Sequence, residues 1–540
     1  MRPLRTLARF FAVPLTLCLG PLGCGGDDET SGTTPPPDPI PFGDVGSTSA
    51  PSGQGSFRFG VASAATQIED QNPTTDWWVW SGAKPDGLGK GTDFVGDASL
   101  GYTKALDDVA LMTELGVDSY RFSMEWARIE PTRDAIDEAA LTHYGELLDA
   151  LVAKGVSPMV TVHHFSNPIW VDDPRDKACA LGPTDANLCG WNDPVGGPLA
   201  VAEIGAHAKL LAERFGDRID DWCTLNEPIN YLLGAYGVGS FPPGKSTIAD
   251  PLGKLLPTLR NYIAAHVAIY DAIKQYDTVD ADGDGVAASV GFTHGAQEWV
   301  ASRDNQVSDD PADLAARDAI LWVYQYLFVD ALREGKFDTD LDRALDEDHP
   351  DWKGKLDWLG VQYYFRTGVT AKNGLLPVLE LTPCYGGFDV GACVPPLDPS
   401  YVVPSMSYEH DPNGLYVVLS DFAQRWPGLP MTVSESGIAT TVEKRRGDVI
   451  VRALEAIAKA QKEGADVRGY YHWSLFDNFE WAEGYEPRFG LYRVDYDTYA
   501  RTGGEAATLF GEITAARSLS SATRAKYGGS GPLTAETEGL

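Results

Sequence analysis

Trp222-Cys223-Thr224-Leu225-Asn226-Glu227-Pro228 is a short, largely apolar run that stops abruptly at an amide and a carboxylate. Upstream, Leu199–Phe215 places apolar residues near i, i+3, i+4 and i+7, the period of a helix with one buried face, and Gly216 punctuates the join. Downstream, Leu255–Tyr276 repeats the helical period and Ala288–Thr293 is the next apolar run. The same unit recurs along the chain. Strands are expected at Phe57–Ala62, Ser119–Phe122, Met159–His163, Trp222–Leu225, Ala288–Thr293, Trp358–Tyr363, Met431–Ser434 and Gly469–Trp473. Helices are expected at Leu100–Leu115, Glu138–Lys154, Leu199–Phe215, Leu255–Tyr276, Ala312–Glu334, Leu415–Gln424, Val442–Glu463 and Ala506–Ala516. Strands alternating one for one with helices predict a parallel sheet closed into a single (β/α)8 TIM barrel over residues 57–516. The competing arrangement is an open doubly wound sheet, but no Gly-x-Gly-x-x-Gly follows an early strand. The segment is longer than a typical barrel, so the surplus falls in the loops after the strands.

A barrel of this kind does its chemistry at the C-terminal ends of its strands. Those ends carry Gln67 and Glu69, Arg121, His163-His164, Asn226-Glu227, Gln362-Tyr363-Tyr364, Glu435 and Trp473. Glu227 and Glu435 stand out because each follows a buried run, where an unpaired charge costs several kcal/mol. Either alone reads as a salt-bridged residue at the barrel mouth. Both facing one cavity, with Arg121 and Tyr364 at hand, suit acetal hydrolysis: one acid keeps its proton for the leaving oxygen while the other stays ionised to attack the anomeric carbon. Arg121 and Tyr364 are expected to lower the pKa of Glu435, the nucleophile. Burial and a negative partner are expected to raise that of Glu227, the acid/base. His163 reads as a packed neighbour of His164.

Phe59-Gly-Val-Ala-Ser-Ala-Ala-Thr-Gln-Ile-Glu69, Tyr120-Arg-Phe-Ser-Met-Glu-Trp126, Thr224-Leu-Asn-Glu-Pro228, Trp473-Ser-Leu-Phe-Asp-Asn-Phe-Glu-Trp481 and Arg488-Phe-Gly-Leu491 closely resemble glycoside hydrolase family 1, over essentially the whole domain. That resemblance implies retaining β-glycosidase chemistry without a cofactor, acting on a β-glucoside or oligosaccharide. It matches Glu227 to the acid/base, Glu435 to the nucleophile, and Arg121 and Tyr364 to the groups around the nucleophile. Gln67, His164 and Asn226 match contacts to the sugar hydroxyls, Asn226 to the 2-OH. Trp473 matches the aromatic floor, and Glu480 with Trp481 the pair at O4 and O6. A carboxylate at Glu480 opposes 6-phosphorylated substrates. The expected activity is that of a β-glucosidase; β-galactosidase, β-fucosidase, transglycosidase and a non-catalytic carbohydrate-binding member are the alternatives. Three positions depart from the family pattern: Ser436 where Asn is usual, Gln362 where Asn precedes the tyrosines, and His164-Phe-Ser-Asn-Pro168 in place of His-Trp-Asp-Leu-Pro.

Asp280-Ala-Asp282-Gly-Asp284-Gly285 has the start of a calcium loop, but the twelfth position is Gly291 in place of the closing Glu. Asp280, Asp282 and Asp284 therefore read either as a solvated acidic turn or as a Ca²⁺ site completed from elsewhere; no catalytic metal is expected. Of seven cysteines, Cys179 with Cys189 and Cys384 with Cys393 bracket loops and are expected to form two local disulfides, four free thiols being the alternative. Cys223 reads as a buried thiol.

The net charge of −34 repels phosphate backbones and anionic lipid, which opposes nucleic-acid binding. Arg2, Arg5 and Arg9 precede the short apolar run Phe10–Leu19, the layout of an export signal over residues 1–23. Leu22-Gly-Cys24-Gly-Gly26 is similar to a lipoprotein cleavage site, with Cys24 as the lipidated residue, although Pro21 stands where Leu is usual. A lipid anchor there is the one membrane contact expected, and secretion is the alternative. Residues 24–56, rich in Gly, Ser, Thr, Pro and Asp, read as a flexible tether, and 517–540 as a tail.

Overall fold

The computed structural model describes residues 36–43 and 57–536, apart from 177, 178, 180, 377 and 385–389. The export signal, Cys24 and most of the tether lie outside the described residues. Eight strands form the barrel: β1 (Arg58–Ala62), β2 (Ser119–Ser123), β3 (Ser157–His163), β4 (Asp221–Asn226), β5 (Ser289–Arg303), β6 (Trp358–Thr370), β7 (Met431–Ser436) and β8 (Val467–Trp473). Each pairs in parallel with the next, and β8 returns to β1, with Gly469 opposite Arg58 and Trp473 opposite Ala62. Between them run α1 (Ala105–Leu115), α2 (Glu138–Ala153), α3 (Gly196–Phe215), α4 (Leu256–Tyr276), α5 (Pro311–Leu321), α6 (Gly414–Arg425), α7 (Glu443–Lys462) and α8 (Glu505–Ala516).

Strands buried on both faces can be near-continuous in apolar residues, which is why these runs are so plain in the sequence. The helices cover the outside with one stripe each: α2 buries Leu141, Tyr144, Leu148 and Leu151, and the carboxylate of Asp137 caps its first turn by accepting from the amides of Ala139 and Ala140. Inside, close packing leaves no room at some positions. A Cβ on Gly60 of β1 would lie 2.3 Å from the Tyr471 ring of β8.

The long connections are 63–104, 164–195, 227–255, 371–413 and 474–504, all on the side where strands end. Three features differ from the expected elements. The β5 and β6 strands run on past the barrel wall as a paired ribbon, Arg366 opposite Glu298 and Val369 opposite Ala301. The helix expected over 312–334 is broken by a π-helical turn at Trp322–Tyr326, after which Leu327–Glu334 resumes the α-helix. Residues 40–42 and 517–536 are built into the domain: Ile40–Pro41 pairs with Ser518–Leu519, Phe42 is buried, and Arg452 of α7 donates to the carbonyls of Gly531 and Pro532.

Both expected disulfides are present, Cys179–Cys189 and Cys384–Cys393, and Cys223 is a buried free thiol. Two such bonds suggest a protein of an oxidising, extracellular setting. Among the described residues no helix is long and apolar enough to cross a membrane.

Candidate active site

Arg121, on β2, organises the site from beneath. It is fully buried, and its guanidinium ties three strands: Nη1 donates to Oε1 of Glu435 on β7, and Nη2 donates to Oδ1 of Asn226 on β4 (2.7 Å) and to Oγ1 of Thr293 on β5 (3.1 Å). The Asn226 Oδ1 also accepts from the Thr293 hydroxyl (2.8 Å) and from Nε2 of Gln362 on β6 (2.8 Å). Donors converging on that oxygen fix the flip of the amide, so its NH2 group is the end left to donate to a ligand.

Glu435 is 5 % exposed. Besides the Arg121 ion pair it accepts a 2.8 Å hydrogen bond from the Tyr364 hydroxyl at Oε2. Its pKa departs from expectation in sign. Burial pushes it above the ordinary carboxylate value, and the charge and hydrogen bond of Arg121 and the hydrogen bond of Tyr364 pull it only part of the way back. Desolvation outweighs contact here because the pair sits in low-dielectric surroundings.

Glu227 follows β4 in a left-handed conformation (φ 37°, ψ 62°), unusual for a residue with a side chain, and directly precedes the short helix Pro228–Leu232. Its amide donates to the Thr293 carbonyl at 2.8 Å, and its Oε2 accepts from Nδ2 of Asn230 at 3.0 Å. Asn230 is held in turn by Tyr324, whose hydroxyl donates to its Oδ1 and accepts from Nε2 of Gln297 at 2.6 Å. The carboxyl lies against Gly295 of β5, where a Cβ would come within 2.6 Å of Oε1. Burial first, then the negative field of Glu435, push Glu227 up to about 8; the Asn230 hydrogen bond and the more distant Arg121 oppose this weakly.

The remaining expected residues surround these two. Gln67 donates through Nε2 to the Phe479 carbonyl (2.9 Å), to Asn478 Oδ1 (3.2 Å) and to Glu480 Oε2 (3.4 Å). Glu480 is also pushed up to about 8, by burial and then by Glu483, Glu435 and Glu227, which places it in the field of both strand-end carboxyls. The His164 ring stacks on Trp481 (centroids 5.9 Å apart) and lies 6.1 Å from Trp473. Burial and then Arg121 hold His164 well below the usual histidine range, so it is neutral and its unpartnered Nδ1 is uncharged. Trp473 and Trp481 are buried among these groups, 3 % and 6 % exposed. Glu227, Tyr364 and Glu480 keep part of their surface open, which marks the mouth. His163 faces away: its ring nitrogens meet Asn167 (3.1 Å) and the Tyr262 hydroxyl (2.8 Å).

Residues 52–518 match the model described as Glycosyl hydrolase family 1. The chain belongs to that family. A beta-galactosidase of Pyrococcus woesei is 31% identical over 510 residues, 85% of this chain and 96% of that one. A beta-glucosidase of Arabidopsis thaliana is 29% identical over 496 residues, 84% and 90% of the two chains. Among solved structures, a beta-glycosidase from Pyrococcus horikoshii superposes with a TM-score of 0.71 at 26% identity, covering 91% of this chain and 98% of the other.

The three departures from the family-1 pattern fall mostly beneath the site. Ser166 donates to Glu125 (2.9 Å to Oε2), and Asn167 donates to Asp76 (3.0 Å) and meets the Tyr231 hydroxyl (2.7 Å), a polar network under His164. Gln362 reaches Asn226. The Ser436 hydroxyl is buried without a partner. Sequence reasoning missed Asn230, Tyr324, Gln297, Thr293 and Gly295. Asn230 carried a signal, standing three residues after Glu227 at a helix start; the others meet the site only through packing.

Proposed function

We propose that the protein is a retaining exo-β-glycosidase, most specifically a β-glucosidase that hydrolyses terminal, unphosphorylated β-D-glucosyl residues. The observation that supports this is the unequal treatment of two carboxyls in one site: Glu435 is gripped by Arg121 and Tyr364, whereas Glu227 contacts a neutral amide and is pushed up to about 8. Ionised Glu435 attacks the anomeric carbon while Glu227, protonated at neutral pH, gives its proton to the leaving oxygen. Esterification removes the charge of Glu435, and with it the repulsion that helped raise Glu227. Glu227 then ionises more readily and takes a proton from the water that hydrolyses the glycosyl-enzyme.

Asn226 donates its amide to the 2-OH, a contact that strengthens in the transition state. Trp473 supports the sugar ring, and Gln67, His164, Glu480 and Trp481 receive its remaining hydroxyls. Glu480, ringed by Glu483, Glu435 and Glu227, makes that wall electronegative and disfavours a 6-phosphate. β-Galactoside or β-fucoside preference is the second reading, supported by the beta-galactosidase name of the Pyrococcus woesei relative and by the ability of a carboxyl to accept from either orientation of O4. An acceptor alcohol in place of water would make the same site a transglycosidase. A non-catalytic binding role is opposed by the presence of both carboxyls. A panel of nitrophenyl glycosides, with NMR of the first-formed anomer, tests the reading: β-glucoside should be fastest and β-glucose should appear first. An α anomer first would overturn retention, and a faster galactoside would move the specificity. We also propose export with Cys24 lipidated; Cys24→Ala should move the protein from the membrane to the soluble fraction, and no change would contradict the anchor.

A further inference from the structure

The other end of the barrel carries a second concentration of carboxyls, unrelated to the glycosidase site. The α4–β5 connection, 277–288, is the turn that contains Asp280, Asp282 and Asp284. It curls about its first carboxylate: Asp280 Oδ1 accepts from the amides of Gly283 (2.7 Å) and Asp284 (3.0 Å), and Oδ2 from that of Gly285 (2.9 Å). Gly285 has φ +95°, which a side chain rarely adopts. The fourth carboxyl comes from a distant part of the sequence. Asp220 immediately precedes β4, and one carboxylate oxygen from each of Asp220, Asp280, Asp282 and Asp284 lies within 4.8 Å of the others.

Asp220 is the observation that separates this group from an ordinary acidic turn. It is 6 % exposed, and its Oδ1 is buried with no hydrogen-bond partner. Its position also answers the gap in the linear motif. Asp221 pairs with Ser289, and the Ser289 amide donates to the Asp220 carbonyl at 2.8 Å, so Asp220 stands beside the start of β5. Gly291, the twelfth motif position, lies in that strand and offers no side chain. Arg58 of β1 pairs with Asp282 at 3.0 Å and also with Asp221. Four carboxyls brought this close repel one another, and the burial of Asp220 adds a desolvation cost.

We propose that Asp220, Asp280, Asp282 and Asp284 form a Ca²⁺ site that clamps the N-terminal end of β4 to the turn leading into β5. The donor set is all oxygen and carboxylate-rich, which selects a hard cation, and its origin in a loop plus one strand end suits the flexible coordination of Ca²⁺ better than the strict octahedron of Mg²⁺. A proton shared between Asp220 and Asp282 is the competing way to neutralise the group, and the experiment separates the two.

Full-length protein stripped with EDTA is titrated with CaCl2 alone by calorimetry and melted with and without 1 mM CaCl2. One equivalent should bind, and Tm should rise by about 3–5 °C. Turnover should change less than about twofold, because the reacting carboxyls lie at the opposite ends of the strands. Asp220→Asn and the exposed-loop variant Asp280→Asn should each lose both the saturable heat and the Tm shift, while Asp340→Asn, in the separate acidic loop of Asp338, Asp340 and Asp342, should keep both. No heat and no shift in the parent, survival of the shift in either site variant, or its loss in Asp340→Asn would overturn the proposal.

Discussion

Glu227 after β4 and Glu435 in β7 are the same residue type in the same site, and burial pushes both above the ordinary carboxylate range. What differs is the neighbour. Glu435 has a guanidinium in direct contact and a phenol hydroxyl; Glu227 has an amide. The comparison teaches that burial does not distinguish the two carboxyls, since it acts alike on both, and that the placement of Arg121 does. One cation, spent on one carboxyl, leaves the other to hold its proton.

Removing the better-supported carboxyl should have the largest effect. Glu435→Gln should lower turnover by about 10⁵-fold or more, with circular dichroism unchanged, since the proposed nucleophile would have no substitute. Arg121→Met erases the asymmetry itself. Turnover should fall about 10³-fold, and the acid limb of the kcat/KM profile should move to higher pH, because Glu435 loses the cation that opposes its burial. In the parent that limb should lie above 4.5, where Glu435 must ionise, and activity should fall again as pH rises through about 8, where Glu227 loses its proton.

Much of this architecture is legible in the sequence because a barrel strand announces itself: 222–226 and 431–436 are apolar runs ending in a polar group, and the helices between keep their period. The ribbon beyond Thr293 is not, since His294-Gly-Ala-Gln-Glu298 loses the apolar character that marks a strand while still pairing with β6. Tyr324 and Gln297 join the site through contacts that only packing creates. The direction of the Glu435 shift was misjudged for a related reason: residue types name the contacts, but not how deeply a pair is desolvated.

Smaller changes sharpen the comparison. Asn230→Ala removes a donor that favours ionised Glu227, so the alkaline limb should move up by less than about one pH unit, with turnover down less than about tenfold. Glu227 also carries a stability signature. Its folded pKa is raised, so the stability it contributes is present below about 4.5 and is lost as pH rises towards 8. The Tm of Glu227→Gln minus that of the parent should therefore grow between pH 5 and pH 8, by about 2 °C.

The assignment of roles is tested most directly by azide rescue on an activated aryl glycoside, with the product anomer read by NMR. Glu227→Ala keeps the nucleophile, so azide should open a glycosyl-enzyme from the β face and give the β-glycosyl azide; Glu435→Ala should give the α-glycosyl azide by single displacement. The α product from Glu227→Ala, or the β product from Glu435→Ala, would contradict the account.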